Sequence, residues 1–312
     1  MKSRQAEEGV DPVVEAAVGW FVRLHDDPAD PTLRPAFEAW RDADPRHARA
    51  YERLQRLWGA SAHLPSLAQP ALEPDRRRVL RAVVGAGGVG AAALLGGRLA
   101  LEAHPFADHR TQPGETARLA LADGSLVELS TSSALEVDLD DHRRRLRLLA
   151  GEAWFSVTPG DPRPFIVEAA EGRVGALDGA FAVAIERAGV FVSVTAGAAR
   201  VGLRGAAVRL AQGVSVAYDG RRLGDPRPSD PDQLAWREGK LVLVNRPLAE
   251  VASRLDRWTG GRTLILDSEL AARRVTLITD TDDAAQGLDR LAPAARIRLW
   301  RGAPWLTAVT KI

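Results

Sequence analysis

Apolar residues in the first sixty positions recur at helical spacing. Val13, Ala17, Trp20 and Leu24 fall on one face of a predicted helix, which the turn Asp26-Asp27-Pro28-Ala29-Asp30-Pro31 ends. Leu33, Phe37 and Trp40 form a second stripe. Asp44-Pro45 reads as an N-cap followed by proline at the first helical position. His47, Tyr51, Leu54 and Trp58 then mark a third helix. The pattern predicts a small all-α head over 1–60 that carries Trp20, Trp40 and Trp58.

A linker rich in Ala, Ser and Pro follows, and 61–78 ends in Arg76-Arg77-Arg78. An uncharged run from Ala82 to Gly97 comes next, about 24 Å long as a helix. Extended over 79–101, with Arg81 and Arg98 reaching the headgroups, it measures about 34 Å, against a bilayer core of about 30 Å. The segment is therefore expected to be a transmembrane helix, with the arginines holding the N-terminus in the cytoplasm.

From Glu115 the period switches to two. Leu119 and Leu121 alternate, Asp123-Gly124 signals a hairpin turn, and Val127 and Leu129 resume the alternation. Short strands are expected around 146–149, 153–157, 165–167, 181–185, 190–194 and 208–210. This is an all-β block, antiparallel or solenoid-like, ending before the Pro-rich break 225–231. Beyond it the pattern is mixed. Strands are expected at 241–244, 263–266, 275–278 and 297–300. One helix opens at Pro247 with the stripe Leu248, Val251, Leu255 and Trp258 and ends at Gly260-Gly261. A second short helix is expected over 284–291, giving a small α+β module.

The chain has 312 residues, a net charge of +1 and no cysteine. Disulfides, cysteine-ligated metals and thiol catalysis are excluded. Residues 1–78 hold twelve Lys/Arg against thirteen Asp/Glu, so the head lacks the basic excess of a DNA-binding domain. Gly85-Ala86-Gly87-Gly88-Val89-Gly90 matches the dinucleotide-binding pattern G-x-G-x-x-G. The acid-ended strand that should follow about twenty residues later is missing, and the rest of the chain is consecutive strands. The same small residues suit close approach of membrane helices, as in the pairs Gly87/Ala91 and Ala92/Gly96.

The head carries Ala17-x-x-Trp20-x-x-Arg23-Leu24, Phe37-x-x-Trp40, Pro45-x-His47-x-x-Ala50-Tyr51 and Leu57-Trp58. The β block carries 121–125 (Leu-Ala-Asp-Gly-Ser), 151–157 (Gly-Glu-Ala-Trp-Phe-Ser-Val) and 163–167 (Arg-Pro-Phe-Ile-Val). Together these resemble the FecR family of transmembrane anti-sigma regulators. Trp236, Gly239, Pro247-Leu248 and the helix to Trp258 are similar to the short domain of secretins and TonB-dependent receptors. The resemblance implies a multidomain chain. It would comprise a cytoplasmic sigma-binding head (1–60), a linker (61–78), one transmembrane helix (79–101), a periplasmic β domain (114–224) and a signalling module (234–312). It implies an inner-membrane, single-pass protein. Its head would bind an extracytoplasmic-function sigma factor, and its periplasmic part would meet the signalling domain of a TonB-dependent outer-membrane receptor. Iron-chelate uptake would trigger regulatory proteases, for which Gly87 and Gly88 would ease unwinding of the membrane helix.

Two features of this sequence qualify the resemblance. Some members self-cleave at Gly-Thr in a strand that here reads Ala176-Leu177-Asp178-Gly179-Ala180-Phe181, without the threonine, so no autocleavage is expected there. The string Arg76-Arg77-Arg78-Val79-Leu80 also looks like a twin-arginine export signal.

Trp20, Arg23, Trp40, His47, Tyr51 and Trp58 are the candidate partner-binding or family-motif residues, and Arg76, Arg77, Arg78, Gly87 and Gly88 the candidate membrane anchor. The helical stripes make the aromatic residues core in the first instance. No catalytic, cofactor or metal site is expected. Histidines lack ligand spacing, Ser130-Thr131-Ser132-Ser133 lacks a nucleophile elbow, and Asp140-Asp141 beside Arg143-Arg144-Arg145 reads as a charged hairpin tip. The alternatives are a membrane-anchored envelope enzyme or wall-binding β protein and, further off, an NAD-binding oxidoreductase.

Overall fold

Between 109 and 228 the chain builds hairpins and deals them alternately into two sheets. The computed structural model describes residues 11–26, 30–61, 107–303 and 305–312. Strand β1 (His109–Arg110) starts the first sheet, and β2 (Ala117–Ala120) and β3 (Leu126–Leu129) the second. The chain returns to the first with β4 (Ala134–Leu139) and β5 (Arg144–Ala150), then gives β6 (Glu152–Val157) to the second. It repeats the exchange with β7 (Phe165–Ala169) and β8 (Gly172–Ala176), then β9 (Gly179–Glu186) and β10 (Gly189–Ala196). The last round is β11 (Ala198–Leu203) and β12 (Ala206–Ala211), then β13 (Val214–Tyr218) and β14 (Arg227–Pro228). The sheet orders are β1-β4-β5-β7-β8-β11-β12 and β14-β13-β10-β9-β6-β3-β2. Only the β5–β7 pair is parallel in these two sheets. Of the two arrangements expected for this block, antiparallel or solenoid-like, the pairing is antiparallel apart from that one pair.

Period-two patterning explains why the chain must alternate. In β5, Leu146 and Leu148 are buried while Arg145 and Arg147 are exposed. A lone hairpin leaves its inner face wet, so each one packs against strands of the other sheet. The core between the sheets holds Val127, Leu129, Leu146, Phe155, Phe165, Phe181 and Val192, with the Phe155 and Phe181 rings 5.3 Å apart.

Crossing between sheets strips backbone groups of ladder partners, and short hydroxyl side chains replace them. After β3, the Thr111 hydroxyl donates to the Ser130 carbonyl at 2.6 Å and accepts from the Ser133 amide at 2.9 Å. The Ser133 hydroxyl accepts from the Glu152 amide at 3.0 Å. The serine-threonine string at 130–133 is thus a structural stitch. Arg144, central in the expected charged tip, is instead buried. It reaches Asp123 at 3.3 Å and Asp161 at 3.7 Å and donates to the Arg163 carbonyl. Arg145 points outward, as strand alternation requires, and Arg143, just before the strand, is exposed.

The three N-terminal helices are α1 (Pro12–Asp26), α2 (Leu33–Ala43) and α3 (Pro45–Ser61). They form a compact unit with the C-terminal module, and residues 65–231 make the other unit. After a 3-10 turn at Pro231–Glu238, the module runs β15 (Lys240–Pro247), α4 (Leu248–Thr259), β16 (Arg262–Ile265) and α5 (Ser268–Ala272). It continues β17 (Arg274–Asp280), a 3-10 turn, α6 (Gly287–Ala295), β18 (Ile297–Ala303) and β19 (Leu306–Lys311). Strand β15 pairs antiparallel with β17, and β19 pairs parallel with β16 and antiparallel with β18. Helix α4 buries Leu248, Val251, Leu255 and Trp258, the stripe expected, and ends on left-handed Gly260 at φ 69°.

Head and module share a core. Ala17, Phe21, Phe37, Tyr51 and Leu54 pack in one cluster with Leu264, Leu266, Leu306 and Ala308. The Arg53 guanidinium also donates to the Leu266 carbonyl.

These findings correct the expected fold class. No helix among the described residues is long and apolar enough to cross a membrane. The expected transmembrane segment 79–101 lies outside the described residues, as do Arg76, Arg77, Arg78, Gly87, Gly88 and the dinucleotide-like glycines. Head and module, expected as separate domains, pack residues into one core. What the structure shows is a mostly-β domain and a small helical head joined to an α+β module.

The shared core predicts cross-talk in stability. Leu306→Ala, a change in the module, should destabilise by about 2–5 kcal/mol and speed proteolysis within α1–α3. An unchanged cleavage rate in the helices would show that the two cores are separate.

Candidate functional site

Helix α3 starts where the sequence supplies a cap. Asp44 Oδ1 accepts from the Arg46 amide at 2.8 Å, and the Asp44 carbonyl accepts from the His47 amide at 2.9 Å. Pro45 takes the first helical position, where a missing N–H costs nothing. The Arg46 side chain turns back to the same carboxylate at 2.8 Å. These hydrogen bonds, the Arg46 side chain's first, hold the Asp44 pKa at about 2.

The head is organised around Phe37. Its ring lies 4.4 Å from Tyr51, 6.0 Å from Trp20 and 6.1 Å from Trp40. His47 stacks on Trp40 at 4.5 Å with the planes 6° apart. The His47 Nδ1 lies 2.6 Å from the Trp40 carbonyl, so Nδ1 carries the hydrogen that it donates. The Arg23 guanidinium sits over the Trp20 ring at 4.9 Å. Trp20, Arg23, Trp40, His47 and Tyr51 are therefore brought into one lattice of stacked rings. Tyr51 is buried, Trp20, Trp40 and His47 are half-buried, and Arg23 is exposed. These residues fix the angles of three helices, and a partner can touch only the lattice's outer edge. Trp58 lies within α3, and its side chain is outside what the structure describes.

The side chains that do face outward were not singled out in the sequence. Arg46, Arg49, Arg53 and Arg56 are all exposed on α3. Their spacing of three, four and three places them along one helix face. Arg46 is held by Asp44 and Arg53 by the Leu266 carbonyl. Arg49 and Arg56 have no ion-pair partner among the described residues. The spacing was legible, but a near-neutral total for 1–78 concealed it. The row suits recognition of an acidic protein surface, where exposed charges set association rate and orientation. Among the described residues no three His, Asp or Glu side chains gather to hold a metal ion.

Comparison with known proteins adds three findings. Residues 107–200 match the family model for FecR protein, and residues 15–57 match that for a domain of unknown function, DUF4880. No curated protein matches the chain. Two crystal structures of a proposed anti-sigma factor from Parabacteroides distasonis ATCC 8503 share the fold, with TM-scores of 0.57 and 0.56. Each is 21% identical and covers 65% of this chain and 98% of its own.

The Asp44 cap predicts a pH dependence. Its folded pKa lies below the ordinary 3.8, so its contribution is whole above about pH 4 and is lost as pH falls towards 2. In a far-ultraviolet circular dichroism titration, wild type should lose helix across that window. Asp44→Asn should show a weaker dependence there, and identical curves would remove the cap's role.

Proposed function

We propose that this chain, which carries a FecR domain behind a DUF4880 head, is a signalling regulator that binds a sigma factor through the head. The observation that carries the reading is the presence of both family domains on one chain. The arginine row of α3 supports it, because it offers an exposed cationic face on a helix whose opposite side is fixed by packing. The description of the Parabacteroides protein as a proposed anti-sigma factor points the same way.

The sigma factor is of the extracytoplasmic-function class in this proposal, and the face it offers to α3 is acidic. We extend the proposal upstream to the signalling domain of a TonB-dependent outer-membrane receptor, with iron-chelate uptake as the stimulus and proteolysis as the release step. The resemblance of the β domain and the module supports that extension. On the geometry described, such a relay requires the head and module to part.

Titration of the full chain with a purified sigma factor from the same cells tests the proposal. Arg49→Glu with Arg56→Glu should weaken binding at least tenfold, about 1.4 kcal/mol, with little change in melting temperature. The loss should shrink as salt is raised. Equal affinity in wild type and the double variant would clear the arginine row of any role. No binding by the wild-type chain would sink the reading as a whole. In the parent cells, deletion of the receptor should silence transcription by that sigma factor, and unchanged transcription would remove the upstream half.

A further inference from the structure

The outer face of the first sheet carries an open trough of about 640 Å³, lined by Arg173, Arg200 and Arg204, with Glu168 and Glu171 also at its wall, and floored by Gly175 and Gly202. Strand register explains the arrangement. Gly175 on β8 lies between Ile166 on β7 and Arg200 on β11. Gly202 on β11 lies between Arg173 on β8 and Ala207 on β12. Arg200 and Arg173 thus stand at diagonal positions, roughly 7–8 Å apart at their bases. Arg209 on β12 lies directly opposite Arg200.

This is a costly way to decorate a sheet. Like charges directly across a strand pair destabilise it, and Arg173, Arg200 and Arg209 are all exposed with no carboxylate in ion-pair reach among the described residues. The nearby acids are already engaged, Glu168 by Arg145 at 3.7 Å and Arg147 at 3.5 Å, and Glu171 by Arg204. Arg209 has a second use, because a charge on the edge strand β12 discourages edge-to-edge pairing. Arg173 and Arg200 stand on interior strands and have no such use.

The floor is equally unexplained by folding. A glycine inside a strand weakens it and marks a place where another group approaches closely. A Cβ on Gly175 would meet no heavy atom within 4 Å, and one on Gly202 would meet the Arg173 side chain at 3.6 Å, an ordinary contact. Neither has a positive φ. Gly172, in contrast, is required, since its Cβ would lie 2.5 Å from the Tyr218 ring. The fold needs Gly172 and leaves the other two free to vary.

We propose that this trough is a binding site for a compact polyanion, a small molecule with two or more phosphate or carboxylate groups. It lies over Gly175 and Gly202, with one anionic group on the Arg200 guanidinium and another on that of Arg173. Planar guanidinium forks match both kinds of oxyanion and bind each through paired hydrogen bonds. The volume is that of a small-molecule site.

Calorimetric titration of the full chain with sodium triphosphate, and separately with a tricarboxylate, at constant ionic strength tests the site. Saturable one-to-one binding of either probe is expected, and whichever saturates identifies the phosphate or carboxylate source. Arg200→Gln and Arg173→Gln should each weaken it at least tenfold. Gly175→Leu should also weaken it, by filling the floor, without lowering the melting temperature. Absence of saturable binding by both probes, or equal binding by wild type and both arginine variants, would overturn the proposal.

Discussion

The head depends on apolar surface that it does not itself supply. A helical domain of about 50 residues buries too little for comfortable stability, and here Leu264, Leu266, Leu306 and Ala308 of the module complete its core. That constraint sets the architecture. Residues at the two ends of the chain must meet, so the helices and the module form one unit while the hairpins between them form another. It also separates the faces of α3. One side carries Tyr51 and Leu54 into the shared core, and the other presents the arginines. Rigid packing on one side and unpaired charge on the other are what a protein-binding helix requires.

Local patterns were readable and distant pairings were not. The Asp44-Pro45 cap, the α4 stripe ending at Gly260 and the Asp123-Gly124 turn each follow from a few adjacent residues. Strands β8 and β11 escaped notice because Gly175 and Gly202 occupy their outer faces, so apolar residues do not alternate with polar ones. The triple arginine at 143–145 looked uniform. Strand alternation sends Arg144 inward, where it meets an aspartate 21 residues earlier in the chain. The meeting of head and module has no local signature at all. Residues such as Phe37 and Leu306 are core candidates by type, and nothing in their surroundings names the partner. That gap is why the sequence alone predicts head and module as separate domains.

The candidate site divides in the same way. Trp20, Trp40, His47 and Tyr51 were identifiable as a motif, and the structure makes them the frame that sets α3. The groups proposed to meet a partner lie one layer out, in a charge row whose sign is hidden when acids and bases are summed over the head. The β domain works differently. Its inner faces are spent on the core between the sheets, so its outer faces are where chemistry can vary. On one of them two unpaired arginines, Arg173 and Arg200, stand beside a glycine floor.

Binding of a sigma factor to the exposed side of α3 is the claim on which the functional account turns. Hydrogen–deuterium exchange of the full chain, with and without the sigma factor, measures it directly. The account predicts slowed exchange across 45–61, strongest around Arg49 and Arg56. Slowing confined to residues 107–312, with α3 unchanged, would contradict it.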